Sequence, residues 1–349
     1  MDTASERTSR KFSAPYNQAV ELLKETTRTR RAAAGDGVEL PGAQPIQYAQ
    51  PARGASPAQW LMRGMVGWHL TSLDAPTVAV VWCEALARIV NVRLPLWVPL
   101  ALGLGTWAIY LGDRLMDARR ALAPLRERHW FHWRHRSILA PVAVISLLLA
   151  LSLVLREMPA PIRERNSVLA LAALVYFTAI HSRRRTAEAA ATGGTRSTPR
   201  LPLTKETLVG LIFALVCAAP AATRSAHGLA LLVAPVAGCF LLAWLNCWLI
   251  EHWDGGVSVG VTLPLTLSGL ALAAAAVAVA LQGQTAGAFL AALGLSALAL
   301  AWLDQKQARL EPLHLRAAAD LVLLTPLLLP TLRIPALAPT FALLLRGWR

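Results

Sequence analysis

Two carboxylates stand where a long apolar segment meets a basic one, in the stretch YLGDRLMDARR at residues 110–120. On a helix, positions four apart share a face, so Asp113 and Asp117 can point together at one cation or proton. Acidic side chains at a membrane edge cost free energy unless they face a polar cavity, a metal or a partner. The pair therefore indicates a functional site that opens toward one side of a bilayer.

A second acidic stretch, NCWLIEHWDGG, occupies residues 246–256. Glu251 and Asp254 are three apart and so share a helix face, and the glycine pair that follows ends or bends the helix. Carboxylate oxygens are ligands that Mg²⁺ prefers. If both acidic helix ends lie on one membrane face, we expect them to converge on a cavity that holds one or two Mg²⁺ ions.

These acids are embedded in a chain with the composition of a membrane protein. Hydrophobic residues make up 55% of its 349 residues and charged residues 15%, and the mean hydropathy is +0.47. A soluble chain of this size needs more polar surface. Nearly charge-free runs long enough to cross a hydrocarbon core predict an all-α, polytopic bundle of about nine transmembrane helices. The predicted spans are 74–92, 95–112, 138–155, 167–181, 206–223, 229–250, 260–281, 286–303 and 317–332.

Basic residues set the predicted orientation. Seven arginines lie between 113 and 137, five arginines and a lysine between 182 and 205, and three basic residues between 304 and 316. The alternate loops are poorer in basic residues, which predicts a cytoplasmic amino terminus. The net charge of +14 then reflects topology and anionic lipids, and not nucleic acid, because no nucleic-acid-binding motif accompanies it. The simplest location is a bacterial inner membrane.

The chain divides into two predicted regions. Residues 1–58 are polar and lack the layout of a cleavable signal, which predicts a disordered cytoplasmic tail. Residues 59–349 form the predicted transmembrane domain. Four cysteines lie inside the spans without a C-x-x-C pair and are expected to be buried apolar residues: Cys83, Cys217, Cys239 and Cys247.

The chain resembles the UbiA-type intramembrane prenyltransferase superfamily. The stretch LDAP at residues 73–76 is similar to the start of that family's first helix, and DRLMDA at 113–118 is similar to half of its first Asp-rich motif. The resemblance covers about residues 70–332. It implies nine transmembrane helices, a cytoplasm-facing cavity and Mg²⁺-dependent transfer of a prenyl group from a prenyl diphosphate to a lipophilic acceptor.

The resemblance also implies roles for individual residues. Four acids would be the catalytic Mg²⁺ ligands: Asp113, Asp117, Glu251 and Asp254. Six further residues would contact substrate or line the cavity: Arg114, Arg119, Arg120, Lys205, Asn246 and His181. Arginine offers forked donors to phosphate oxygens, while lysine acts as a point charge.

Two departures from the family pattern leave alternatives open. Ile109 and Tyr110 stand where the family's first motif has Asn-Asp, and the second motif's spacing of four meets Asn246 and Ile250 before Asp254. One alternative is a non-catalytic relative that binds an isoprenoid lipid or acts as an assembly partner. A second is a transporter that uses the acids as proton or cation sites.

Further polar residues have two interpretations each. His129, His132 and His135 could present imidazoles to a transition metal, or belong to an interfacial helix together with the neighbouring tryptophans. Glu84 and Asp320 are acids inside predicted spans, which either pair with arginines or shape the cavity.

Overall fold

The computed structural model describes residues 56–120, 127–190, 205–225, 228–254 and 260–328, and its regular elements in these ranges are all helical. The predicted all-α class is confirmed for this part of the chain. Most of the predicted tail lies outside the described residues. The helices are α1 (Pro57–Leu70), α2 (Asp74–Ile89), α3 (Trp97–Arg120), α4 (Glu127–Arg134), α5 (Arg136–Glu157), α6 (Ala160–Ala190), α7 (Lys205–Ala222), α8 (Leu229–Asp254), α9 (Thr262–Gln282), α10 (Gln284–Lys306) and α11 (Pro312–Val322).

Within the described ranges, five helices are long and apolar enough to cross a membrane: α5, α7, α8, α9 and α10. The pair α1 and α2, bent by 90°, makes a sixth if it counts as one broken span. These helices indicate an integral membrane protein in contact with lipid. Helices lie at all nine predicted segments, but α11 has only 11 residues, which at 1.5 Å per residue is roughly 16 Å. The count of nine membrane crossings therefore stays a prediction.

Helix α2 lies at the centre of the bundle. It packs against α3, α7, α8, α10 and α11, and most of its residues are buried. The indole of Trp82 is fully buried, donates to the carbonyl of Leu323 at 3.0 Å and meets the ring of Phe213 edge-on. This contact joins α2 to the segment after α11 and satisfies the one polar atom of the largest core side chain.

The outer helices present apolar side chains outward. Helix α5 is the least buried of the candidate spans and α10 the most buried. Exposed Leu, Ile and Val on α5 would be unfavourable in water but match lipid tails. The exposed residues of α5 are Ile138, Val144, Ile145, Leu147, Leu148, Leu149, Leu151 and Leu155.

The chain bends sharply at the corner between α1 and α2, and this corner brings together two polar side chains, those of His69 and Asp74. Ser72 has a φ of 58°, in the left-handed region that non-glycine residues rarely adopt, and its side chain is buried. Its hydroxyl lies 3.1 Å from Nε2 of His132 in α4, and the indole of Trp107 donates to the carbonyl of Thr71 at 3.0 Å. These contacts hold the chain in a tight bend. As a result, His69 and Asp74 meet across the corner.

Candidate functional site

Four polar side chains from four helices meet inside the bundle, and we call His69, Asp74, Asn246 and Asp320 the buried polar cluster. Each is at most 7% exposed. Nδ1 of His69 lies 2.8 Å from Oδ2 of Asp74 and 2.9 Å from Oδ2 of Asp320. The amide of Asn246 donates to Oδ1 of Asp320 at 3.1 Å. The cluster thus surrounds one imidazole nitrogen with two carboxylates.

Local structure explains how these side chains reach one another. His69 stands in the last turn of α1 and Asp74 is the first residue of α2, so the corner places both at one end of α2. Oδ1 of Asp74 accepts from the backbone N–H of Ala75 at 2.8 Å, and a helix amino terminus favours negative charge. Asp320 stands on α11 and Asn246 on α8, and these two helices complete the cluster.

Helix α3 adds a cation and a phenol to this neighbourhood. The charge of Arg114 interacts with the carboxylates of Asp74 and Asp320. Its guanidinium lies 3.5 Å from the hydroxyl of Tyr110 and 5.0 Å from the centre of that ring. Buried charges persist only where they are paired, and Arg114 supplies one of the positive charges that two buried carboxylates require.

A second layer of polar contacts lies nearer the carboxyl end of α8. Arg316 of α11 forms an ion pair with Asp254. Eight residues separate Asn246 from Asp254, which along a helix is about 12 Å, so this pair lies two turns from the buried polar cluster. Asp304 of α10 accepts from the indole of Trp253 at 2.8 Å and from the backbone N–H of Gly260 at 3.0 Å. The first contact joins α8 to α10, and the second joins the residue Gly260, just before α9, to α10.

An open groove of about 580 Å³ runs between α7 and α8. Its acidic part contains Glu251, whose carboxyl group is within hydrogen-bonding range of Glu206 across the groove. Trp244 and Trp248 stack with ring centres 5.8 Å apart, and the ring of His252 lies 4.5 Å beyond Trp248. The groove therefore joins an aromatic wall to a pair of carboxyl groups. Its lining is Glu206, Thr207, Phe240, Leu241, Trp244, Trp248, Glu251 and His252.

The predicted Mg²⁺ ligands lie in different surroundings. Asp113 and Asp117 are half-buried, one turn apart near the carboxyl end of α3. Glu251 faces Glu206, whereas Asp254 is paired with Arg316. A carboxylate already bound to arginine is a poorer cation ligand, so Asp254 fits the predicted role least well. The convergence of all four acids on one cavity stays a prediction.

The predicted substrate-binding residues divide in the same way. Asn246 and Arg114 lie in or beside the buried polar cluster. Lys205 begins α7 and is exposed, and Arg119 is exposed near the end of α3. The side chains of Arg120 and His181 lie outside the described residues.

Sequence reasoning did not predict the buried polar cluster. His69 precedes the first predicted span, and Asp74 was identified only as part of the stretch similar to a helix start. Asp320 was recognised as an acid in an apolar segment, and that was the signal available, because such acids are costly unless partnered. Nothing in the linear spacing of residues 69, 74 and 320 predicts that they meet.

His132 of α4 and His135, which precedes α5, have separate partners. His132 is buried against Ser72, while Nδ1 of His135 lies 2.9 Å from the carbonyl oxygen of Phe131. Trp133 is exposed, as expected for an interfacial helix. Among the described residues, the group whose donor atoms converge closely enough for a metal is His69, Asp74 and Asp320. The cysteines are free, and three of the four are buried.

Comparison with known proteins identifies no relative: no family model, no curated protein and no solved structure matches this chain.

Proposed function

We propose that this protein is an intramembrane prenyltransferase, which transfers a prenyl group from a prenyl diphosphate to a lipophilic acceptor with Mg²⁺. One observation carries the proposal. Three separate stretches of sequence meet at or beside Asp320. The stretch similar to the family's first helix contributes Asp74, and the two acidic stretches contribute Arg114 and Asn246. The three stretches on which the family resemblance rests therefore lie close together in the fold.

Three of the predicted ligands offer oxygen donors that are suited to Mg²⁺. Asp113 and Asp117 offer hard carboxylate oxygens from one face of α3, and Glu251 offers another beside Glu206. Two carboxyl groups within hydrogen-bonding range require a shared proton or a cation between them. In the proposed reaction, Mg²⁺ held by these acids neutralises the diphosphate, which is the leaving group.

The chain's own side chains would supply the rest of the environment. Arg114 places a guanidinium beside the cluster, and Lys205 an ammonium at the end of the groove near Glu251. Both can donate hydrogen bonds to phosphate oxygens. The aromatic wall of Phe240, Trp244 and Trp248 offers an isoprenoid chain an apolar surface that excludes water from a reactive carbocation.

A transfer assay tests this proposal directly. Purified full-length protein in lipid nanodiscs is incubated with Mg²⁺, radiolabelled prenyl diphosphates of several lengths and a lipid extract as acceptor. We expect label in the lipid fraction, and a loss of at least about tenfold in Asp117→Asn. Glu164→Gln, an exposed acid near the start of α6, is the matched control and should retain activity.

The possible outcomes separate the alternatives. Undiminished transfer in Asp117→Asn would remove that residue from the mechanism. Retention of labelled isoprenoid by the protein with no product from any donor would contradict the enzyme and favour a non-catalytic lipid-binding relative.

The buried polar cluster favours a second candidate, a proton-coupled carrier. An imidazole between two carboxylates inside a membrane domain is an arrangement that proton relays use. This candidate predicts proton flux across liposomes, measured with a pH-sensitive dye, that is lost in His69→Gln and kept in the partly exposed control His314→Gln.

A further inference from the structure

The donor atoms of the buried polar cluster have the spacing of metal ligands. Nδ1 of His69, a carboxylate oxygen of Asp74 and one of Asp320 all lie within 4.8 Å of one another. The two nitrogen–oxygen distances are 2.8 and 2.9 Å. Adjacent ligands of an octahedral ion bound at about 2.1 Å are separated by about 3.0 Å, so a metal ion fits between these atoms with little movement.

Two oxygen atoms in the cluster have no hydrogen-bond donor within the part of the chain that the structure describes. Nδ1 of His69 carries at most one proton, and Oδ2 of Asp320 lies within hydrogen-bonding distance of it at 2.9 Å. Oδ2 of Asp74 has no hydrogen-bond donor among the described residues, although it lies 2.8 Å from the same nitrogen. Oδ1 of Asn246 also has none, while its amide group is bonded to Asp320. Buried polar atoms without partners are rare and costly, and a cation between the carboxylates would satisfy Oδ2 of Asp74.

We propose that His69, Asp74 and Asp320 bind one divalent transition-metal ion, with Oδ1 of Asn246 as a fourth ligand. This site is additional to the Mg²⁺ acids of the proposed function and does not depend on that function. The imidazole nitrogen determines the class of metal. Nitrogen ligands suit Mn²⁺, Fe²⁺, Co²⁺ and Zn²⁺, whereas Mg²⁺ and Ca²⁺ are bound by oxygen ligands.

Charge balance is consistent with such an ion. The cluster holds two carboxylates, and Arg114 offsets one of them. A second positive charge comes either from a proton on His69 or from a metal ion bound to the same nitrogen. These two states exclude each other because Nδ1 offers a single lone pair. When the metal binds, the Nδ1 proton leaves to solvent and Nε2 keeps its own.

Helix packing makes the site rigid. His69 and Asp74 are fixed by the α1–α2 corner, Asn246 by α8 and Asp320 by α11, and all of these residues are buried. Ligands on rigid elements lose little freedom on binding, so an ion of matching size is bound tightly. The same enclosure makes metal exchange slow, and the experiment therefore loads the ion before measurement.

The test measures metal bound per chain. Full-length protein in detergent is stripped with chelator, incubated with Mn²⁺ or Zn²⁺, passed over a desalting column and analysed by mass spectrometry for metal. We expect about one ion per chain in the wild type and its loss in His69→Ala and in Asp320→Asn. His314→Ala, which removes a partly exposed histidine on α11, is the matched control and should keep the ion. Asp117→Asn should also keep it, which separates this site from the proposed Mg²⁺ acids.

Asn246→Asp provides a test that does not depend on loss of folding. A fourth ligand with a negative charge should strengthen metal binding by at least about tenfold. If the cluster is only a proton-bridged ion pair, the same substitution adds repulsion between carboxylates, and no metal is bound. Absence of metal from the loaded wild type, or an unchanged metal content in His69→Ala, would overturn the proposal.

Discussion

Substituting Asp320 by Asn in the metal-free protein tests the energetics of the buried polar cluster. Breaking a buried ion pair by removing one partner costs about 3–5 kcal/mol, because it leaves an uncompensated charge. Oδ2 of Asp74 still faces the imidazole of His69 at 2.8 Å, so part of the compensation remains. We therefore expect Asp320→Asn to lower the free energy of unfolding by about 3 kcal/mol, at the lower end of that range.

A second substitution calibrates this number. Asn246→Leu keeps the size of the side chain and removes only its hydrogen bond to Asp320. Hydrogen bonds between side chains in membrane proteins are worth about 0.6 kcal/mol on average and about 1.7 kcal/mol at most. We therefore expect Asp320→Asn to lower the free energy of unfolding by much more than Asn246→Leu does. The larger loss in Asp320→Asn is expected because Asp320 is part of an ion pair, whereas Asn246 makes only a neutral hydrogen bond.

The assay is reversible unfolding by SDS in mixed micelles with chelator present. The double variant His69→Gln with Asp320→Asn completes a thermodynamic cycle. Because the two groups are in contact, we expect the double variant to be more stable than the sum of the single losses predicts, by about 1–3 kcal/mol. Strictly additive losses, or an Asp320→Asn cost no larger than that of Asn246→Leu, would refute a charged pair at this position.

Two further predictions concern helix packing and backbone conformation. Gly287 of α10 has no room for a Cβ atom, which would overlap the side chain of Val279 in α9. Gly287→Ala should therefore lower the free energy of unfolding by about 1–3 kcal/mol in the same assay. Gly269→Ala is the control and should be nearly neutral, because the added atom meets open space. Ser72→Val forces a β-branched residue into the left-handed region, and it should lower stability by about 1–2 kcal/mol relative to Ser72→Ala. Both variants lose the same hydroxyl, so equal stabilities would contradict the φ of 58°.

Much of the helical architecture could be predicted from the sequence. Each apolar segment needs its backbone hydrogen bonds satisfied internally in lipid, and a helix is the way a single segment does this. Helices accordingly occur at every predicted span that the structure describes. The prediction was weaker where charge interrupts the pattern. Helix α11 ends at Val322, within the predicted span 317–332, and the sixth candidate crossing is a pair of helices bent at Ser72.

The candidate site was predicted only in part. Arg114 and Asn246 were expected to bind substrate, and they lie in or beside the buried polar cluster. Asp254 was expected to bind Mg²⁺, but the structure pairs it with Arg316. Spacing along a helix shows which acids share a face, but it does not show which arginine of a distant helix faces them.

By itself, the sequence determined that this protein is a helical membrane protein whose acids gather at helix ends, because transfer of apolar and charged groups between water and lipid is decided residue by residue. Only the tertiary structure decided that His69, Asp74 and Asp320 share one enclosed point. The reason is physical: 251 residues separate His69 from Asp320, and their contact results from the packing of α1, α2, α8 and α11. Local periodicity carries no information about such a contact.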